Sequence, residues 1–134
     1  MAKEIKKDNR PDLFAATPPL EAVKLALSEA ATDATEDTVV SVVDVRRAYF
    51  YAAARRKVYV ELPPEDWEEG DEEKCGLLRV SLYGTRDAAV NWQDALSRHL
   101  MEIGFERWSG HPSVFVHRAK SIRTLVHGDD YASA

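Results

Sequence analysis

The sequence predicts an α+β domain in which helices pack on one face of a sheet. Three observations predict it. Two stretches carry apolar residues at helical spacing, and five short runs are β-branched or alternate apolar with polar. The two kinds are interleaved, with turn signals that suit hairpins between the strands.

The first helix starts after Thr17, which can cap it; Pro18 and Pro19 suit its first turn, and Glu21 favours its positive end. Leu20, Val23, Leu27 and Ala30 recur at helical spacing and predict one buried stripe, ended by the polar run Ala34 to Asp37. Thr38 to Val45 (TVVSVVDV) is short and rich in β-branched residues, the pattern of a buried strand. Lys57 to Leu62 alternates and is stopped by Pro63 and Pro64; Leu77 to Leu82 reads as a third strand, broken at Gly84. The second helix spans Arg86 to Ile103, with Ala89, Trp92, Leu96, Leu100 and Ile103 on its apolar face and Gly104 as its stop. Val114 to His117 and Ile122 to His127 complete the set, joined by a turn near Ala119 to Ser121.

A chain of 134 residues with 45% apolar content suits one domain with its own core. Residues 1–13 read as a flexible lead-in and 14–134 as the domain. Cys75 stands alone, so no internal disulfide forms. Met1 to Arg10 lacks the apolar stretch of a secretory signal, and no apolar run approaches the length that spans a bilayer. The expectation is a soluble intracellular protein without a membrane partner, cytoplasmic or alternatively nuclear.

The net charge of −5 argues against a general nucleic-acid coating protein, but the charge is uneven. Arg46, Arg47, Arg55, Arg56 and Lys57 fall within twelve residues, whereas Glu65 to Glu73 holds seven acids. Either run can be a plain solvated face; equally, the basic one can line a groove.

Three of the 23 acids are differently placed. Asp44 ends the most apolar strand, where a carboxylate needs solvent or a cation. Asp129 and Asp130 form a doublet behind Gly128, and a cation shared with Asp44 would relieve their repulsion. Taken alone, the doublet fits an ordinary turn and Asp44 a helix cap. His99, His111, His117 and His127 have no ligand spacing with Cys75 and read as structural or surface groups. Trp67, Trp92 and Trp108 read as core or hairpin packing.

The wording around the aspartates carries a resemblance. Asp44 to Phe50 (DVRRAYF) resembles the first polymerase motif of reverse transcriptases. Val58 to Trp67 (VYVELPPEDW) is similar to the "(I/V)Y(M/V)xxPxG(F/W)" stretch of copia-type (Ty1-like) retrotransposon enzymes, and Lys74 to Trp92 to their "CxLxKSLYGLKQAPRxW" segment. Gly104-Phe105 with His111 to Phe115 resembles "GF…DPCLF", His127 to Asp130 stands where "YVDD" does, and Phe14 to Ala31 resembles "FAPVARxETIRxLLAxAA". The motifs follow in order at compatible spacing from Phe14 to the C-terminus.

That resemblance implies a reverse-transcriptase palm: an antiparallel sheet whose neighbouring strands bring Asp44, Asp129 and Asp130 together as catalytic residues and ligands of two Mg²⁺ ions, or Mn²⁺. Asp44 and Asp129 would be the main ligands, Asp130 a lesser one. Tyr49 would lie under the incoming sugar, the backbone N–H groups of Arg47 and Ala48 would meet the triphosphate, and Gly84, Thr85 and Arg86 would pack near the templating base and nucleotide. The implied partners are an RNA or DNA template-primer, a dNTP, and the fingers, thumb and RNase H of a retrotransposon polyprotein. Nothing upstream of Phe14 matches the basic fingers residues, and only Tyr131 to Ala134 follow the doublet. The implied activity is therefore that of an incomplete RNA-directed DNA polymerase, weak or absent in this chain alone. Asp87 stands for the usual Gln, Ala89 for Pro, and His127-Gly128 for Tyr-Val. Two alternatives remain open at this point: a non-catalytic, domesticated or decaying polymerase remnant that acts at most as a binding module, and an acidic interaction domain unrelated to polymerases.

Overall fold

A computed structural model describes residues 4–5, 9–13, 15–32, 38–71 and 73–134. Phe14, where the domain was expected to begin, and Ala34 to Asp37, expected to end the first helix, lie outside the described residues. Two helices, α1 (Leu20–Thr32) and α2 (Ala88–Glu102), accompany seven strands: β1 (Ser41–Asp44), β2 (Tyr59–Glu61), β3 (Cys75–Leu77), β4 (Glu106–Arg107), β5 (Val114–His117), β6 (Ile122–His127) and β7 (Asp130–Ser133). Five strands form one antiparallel sheet in the order β1-β7-β6-β5-β4, and β2 with β3 forms a separate ribbon. The class is α+β, as expected.

Both faces of the sheet need cover, because apolar side chains alternate through β5 and β6. Phe115 and Val126 point to one face, where Trp92, Leu96 and Leu100 of α2 join Ala48 and Ala52 to make the core. Val114 and Leu125 point to the other, beneath Ala22, Leu25 and Ala26 of α1. The helices thus cover opposite faces, not the single face the sequence predicted, because β5 and β6 carry apolar side chains on both sides. Coverage by α1 is shallow: none of its residues is buried, and Leu20 and Leu27 of the expected stripe remain 61% and 48% exposed. The periodicity marked a helix correctly but overstated its burial.

The β1 segment also departs from expectation. Its valines predicted a buried strand, yet β1 is the sheet's edge, and Val42 is 74% exposed. β-branched residues report a preference for extended backbone, which an edge satisfies as well as a centre. The third strand is Cys75–Leu77, earlier than Leu77 to Leu82; Val80 keeps only an isolated bridge to Ala53. β4 and β7 were not anticipated. β7 is central, paired with β6 on one side and β1 on the other, and the pairing reaches Ala134, which exchanges backbone bonds with Arg123.

The second helix buries Trp92, Leu96 and Leu100 of its expected face, while Ala89 is only half-buried, Ala88 being buried in its place, and Ile103 is 49% exposed. Its end is a Schellman motif: Phe105 N–H donates to Leu100 O at 2.9 Å, and Gly104 N–H to Met101 O at 3.1 Å. Gly104 takes φ +97°, and an added Cβ would meet His117 Nε2 at 3.0 Å, so conformation and space both require glycine. Trp92 is core, as expected. Trp67 and Trp108 are not, at 39% and 53% exposed; Trp67 instead donates its indole N–H to Leu62 O.

Candidate active site

Strands β6 and β7 meet in a two-residue turn, Gly128-Asp129, closed by the pair His127 and Asp130. Gly128 has φ +64° and Asp129 does not have positive φ, the pattern of a II′ hairpin turn, which needs glycine in its first central position. The register of β1 on β7 then sets the site. Asp44 lies directly opposite Asp130, and the next amide, Val45 N–H, donates to Asp129 O at 2.9 Å. All three sequence-chosen acids therefore lie at one corner of the sheet, though Asp44 and Asp129 are 85 residues apart in the chain.

Within that corner they differ. Asp44 and Asp130 share a sheet face, the one away from α2, because their neighbours Val45 and Tyr131 pack against the α2 core. Asp129, in the turn, lies near Tyr49. Cross-strand pairing thus joins Asp44 to Asp130 rather than to Asp129. Asp44 and Asp130 are exposed and Asp129 half-buried. Among the described residues, no ion pair neutralises any of the three, and no three His, Cys, Asp or Glu side chains stand close enough together to hold a metal ion. The donor chemistry nonetheless fits: three unpaired carboxylates offer the hard oxygens that Mg²⁺ or Mn²⁺ takes.

The segment after Asp44 turns back sharply. Arg47 adopts the left-handed conformation (φ 59°, ψ 37°), rare for a residue with a Cβ, and leads into a 3₁₀ turn, Ala48–Tyr51. Ala48 is fully buried and its N–H donates to Val45 O at 3.1 Å, so that amide already has an acceptor; the exposed Arg47 does not share this constraint. Tyr49 is half-buried and stacks on Tyr83, ring centroids 4.3 Å apart and 24° between planes, while Phe50 meets Tyr83 edge-on at 5.9 Å. Burial foremost, then the charge of Asp129 and the neighbouring Tyr83, hold the Tyr49 hydroxyl above the ordinary phenol range. Tyr49 is thus a neutral donor at any physiological pH.

Gly84 (φ +96°), Thr85 and Arg86 form the loop into α2. Thr85 Oγ1 donates to Leu82 O at 2.8 Å, closing the turn on itself. The loop is also held from the N-terminal side: Glu4 N–H donates to Gly84 O, and the Glu4 carboxylate accepts from the Arg86 amide at 2.9 Å and from the Arg56 guanidinium. Arg56 in turn donates to Asp87 at 2.9 Å, and Asn91 Nδ2 donates to the other Asp87 oxygen. Burial alone would raise the Asp87 carboxyl, but these donors, Arg56 first, hold it below the usual range.

Sequence reasoning missed three participants: Tyr83 behind Tyr49, the Glu4–Arg56–Asp87 network behind the loop, and Trp92, whose indole N–H donates to Gly128 O at 2.7 Å. None has a local signal, since each acts across 30 residues or more.

The sheet corner thus sets three carboxylates beside an aromatic pair and a basic turn, and the comparisons define the class. The model of the family "Reverse transcriptase (RNA-dependent DNA polymerase)" matches residues 3–130, so the chain belongs to the reverse transcriptase family. It is similar to the truncated transposon Ty1-A Gag-Pol polyprotein of Saccharomyces cerevisiae, at 30% identity over 84 residues, and to the transposon Ty1-DR4 Gag-Pol polyprotein of the same yeast, again at 30% over 84 residues. Each alignment covers 62% of this chain but only 7% and 5% of those polyproteins. The copia-type resemblance is thereby borne out. No solved structure matches. Among the described residues, no helix is long and apolar enough to cross a membrane.

Proposed function

We propose that the chain is the palm segment of a copia-type RNA-directed DNA polymerase, encoded within a longer polyprotein. It would carry the acidic centre for transfer of a nucleotide to a primer 3′-hydroxyl. The observation that carries this reading is the register that sets Asp44 against Asp130, with Val45 bonded to Asp129.

In this reading Asp44, Asp129 and Asp130 hold two divalent cations, Mg²⁺ or Mn²⁺. Bound there, such ions lower the pKa of the attacking hydroxyl and stabilise charge on the leaving pyrophosphate. The protein's own groups orient the reactants. Arg47, exposed in its left-handed turn three residues after Asp44, supplies positive charge for a triphosphate. Ala48, its amide engaged with Val45, shapes the turn rather than donating. Tyr49, its ring stacked on Tyr83, forms a rigid wall against which a sugar is sized. Gly84, Thr85 and Arg86 line the nucleotide side of the loop. Template-primer grip is left to fingers, thumb and RNase H elsewhere in the polyprotein, so the segment alone would extend primers weakly or not at all.

A second reading, a non-catalytic remnant that acts as a binding module, draws on the spread of the three carboxylates among the described residues. One titration separates the two. Mn²⁺ binding, read by loss of the free-ion resonance, should weaken at least tenfold in Asp44→Asn. Equal binding by wild type and Asp44→Asn refutes the polymerase reading and leaves the remnant. Single-nucleotide primer extension at a normal rate by the segment, abolished by Asp44→Asn, would overturn the claim that it needs the rest of the polyprotein.

A further inference from the structure

In a two-residue hairpin the ladder bonds join the closing pair, and the carbonyls of the two loop residues have no partner within the ladder. Here both are engaged from outside. Asp129 O accepts from Val45 N–H at 2.9 Å, at the end of the strand that carries Asp44. Gly128 O accepts from Trp92 Nε1–H at 2.7 Å. Each peptide plane of the turn is therefore fixed by a donor rooted in another element.

The second donor is rigid for a physical reason. Trp92 is only 6% exposed, wedged in the core with Leu96, Phe115 and Val126, and its ring lies tilted against Tyr51. A core side chain at close-packed density cannot swing away, so the indole N–H is held at a set point. Gly128, by contrast, has no side chain to anchor it and nothing within 4 Å of where a Cβ would be. On that side the indole bond is what restrains the turn.

We infer that Trp92 is a positioning residue: by holding Gly128 O, its indole N–H fixes the Gly128–Asp129 peptide and so the direction in which Asp129 presents its carboxylate. This rests on the reading of the three acids as a divalent-cation site, although the restraint itself does not.

The test uses Trp92→Phe and, in case the smaller ring loosens the core, Trp92 replaced by benzothienylalanine, which keeps the bicyclic shape and puts sulfur where the N–H was. Trp67→Phe, which removes the indole bond to Leu62 O, is the control. Amide hydrogen exchange should quicken about tenfold at Asp130 and Tyr131, the first paired residues after the turn, with Leu96 and Phe115 unchanged in the benzothienylalanine protein. The Mn²⁺ concentration that half-broadens the Asp129 and Asp130 amide signals should rise by a similar factor, and Trp67→Phe should alter neither. Unchanged turn exchange overturns the inference. So does equal acceleration throughout α2 and β5 in the benzothienylalanine protein, because core filling alone would do that, and so does faster exchange with an unaltered Mn²⁺ requirement. Failure of the metal reading is distinct: it shows as Mn²⁺ broadening in the wild type that Asp44→Asn leaves intact.

Discussion

Replacing Arg56 by methionine removes the cation from the network that fixes the loop into α2. In the native chain, Arg56 Nη2 lies 2.9 Å from Asp87 Oδ1; the Asp87 side chain is 9% exposed and that of Arg56 30%. Breaking a buried pair by deleting one partner costs about 3–5 kcal/mol, because the other charge is left uncompensated. The partial exposure of Arg56 admits water and lowers that figure, and the more open contact to Glu4 adds less than about 1 kcal/mol. The expected loss is about 2–3 kcal/mol at pH 7. Asp87→Asn should cost about 1–3 kcal/mol: the amide oxygen still accepts from Arg56, but its NH₂ now faces the buried Asn91 Nδ2 donor from which the second carboxylate oxygen accepted.

The pH dependence has a definite sign. In the wild type Asp87 is held below its ordinary value of 3.8, so its contribution is present above that pH and fades as pH falls through the depressed value. Without Arg56, burial, the largest influence, pushes the Asp87 carboxyl back up against only its backbone and Asn91 donors, so less of that stabilisation is present at neutral pH and less is lost on acidification. The difference between the two proteins should therefore be smaller at pH 4 than at pH 7, and should go on shrinking as Asp87 protonates below its ordinary value. Urea unfolding followed by tryptophan fluorescence measures both, provided the m-values agree. A Arg56→Met penalty under 0.5 kcal/mol at pH 7, or one that is equal at pH 4, refutes the reasoning.

Three further outcomes are expected. Asp130→Asn should raise stability by about 0.2–1 kcal/mol in metal-free buffer, because like charges directly opposite on paired strands repel, while weakening Mn²⁺ binding; thermal melts with and without Mn²⁺ test both halves. Gly128→Val should cost about 1–3 kcal/mol from positive φ alone, since an added Cβ meets nothing, and a melt equal to the wild type's would discount the turn assignment. Phe115→Ala, at the largest fully buried side chain, should cost about 3–5 kcal/mol by urea unfolding.

The sequence was most informative where local pattern and tertiary environment agree. β5 and β6 fall at the expected residues because a buried strand and its hairpin partner leave their marks within a few positions: apolar alternation and a turn at Arg118–Lys120, closed by Ser121 in the left-handed conformation. β7 has no such mark. Of Asp130, Tyr131, Ala132 and Ser133 only Tyr131 carries β preference, and the stretch is extended because β1 and β6 offer backbone partners on both sides. The same limit explains β1, where a valine run fixed the conformation but could not say how many neighbours it would have. The three acids were legible only through the order of surrounding motifs; no local pattern encodes that Asp44 meets Asp130 rather than its neighbour. Trp92 was legible as core and not as a donor, since nothing along a helix reports what its indole N–H reaches 36 residues away.

The arrangement at the corner runs against the interest of folding. Asp44 and Asp130 face each other across paired strands, Asp129 adjoins them, and none gains an ion pair among the described residues. A fold selected for stability alone would put an apolar or oppositely charged pair at that register. This one instead spends two donors from outside the hairpin, Val45 N–H and the Trp92 indole, on holding the turn in place, and supports it with a glycine conformation that a side chain would resist. Local repulsion that is restrained rather than relieved supports the proposed cation site, and that proposal predicts that metal binding should stabilise the chain more than removal of either facing charge does.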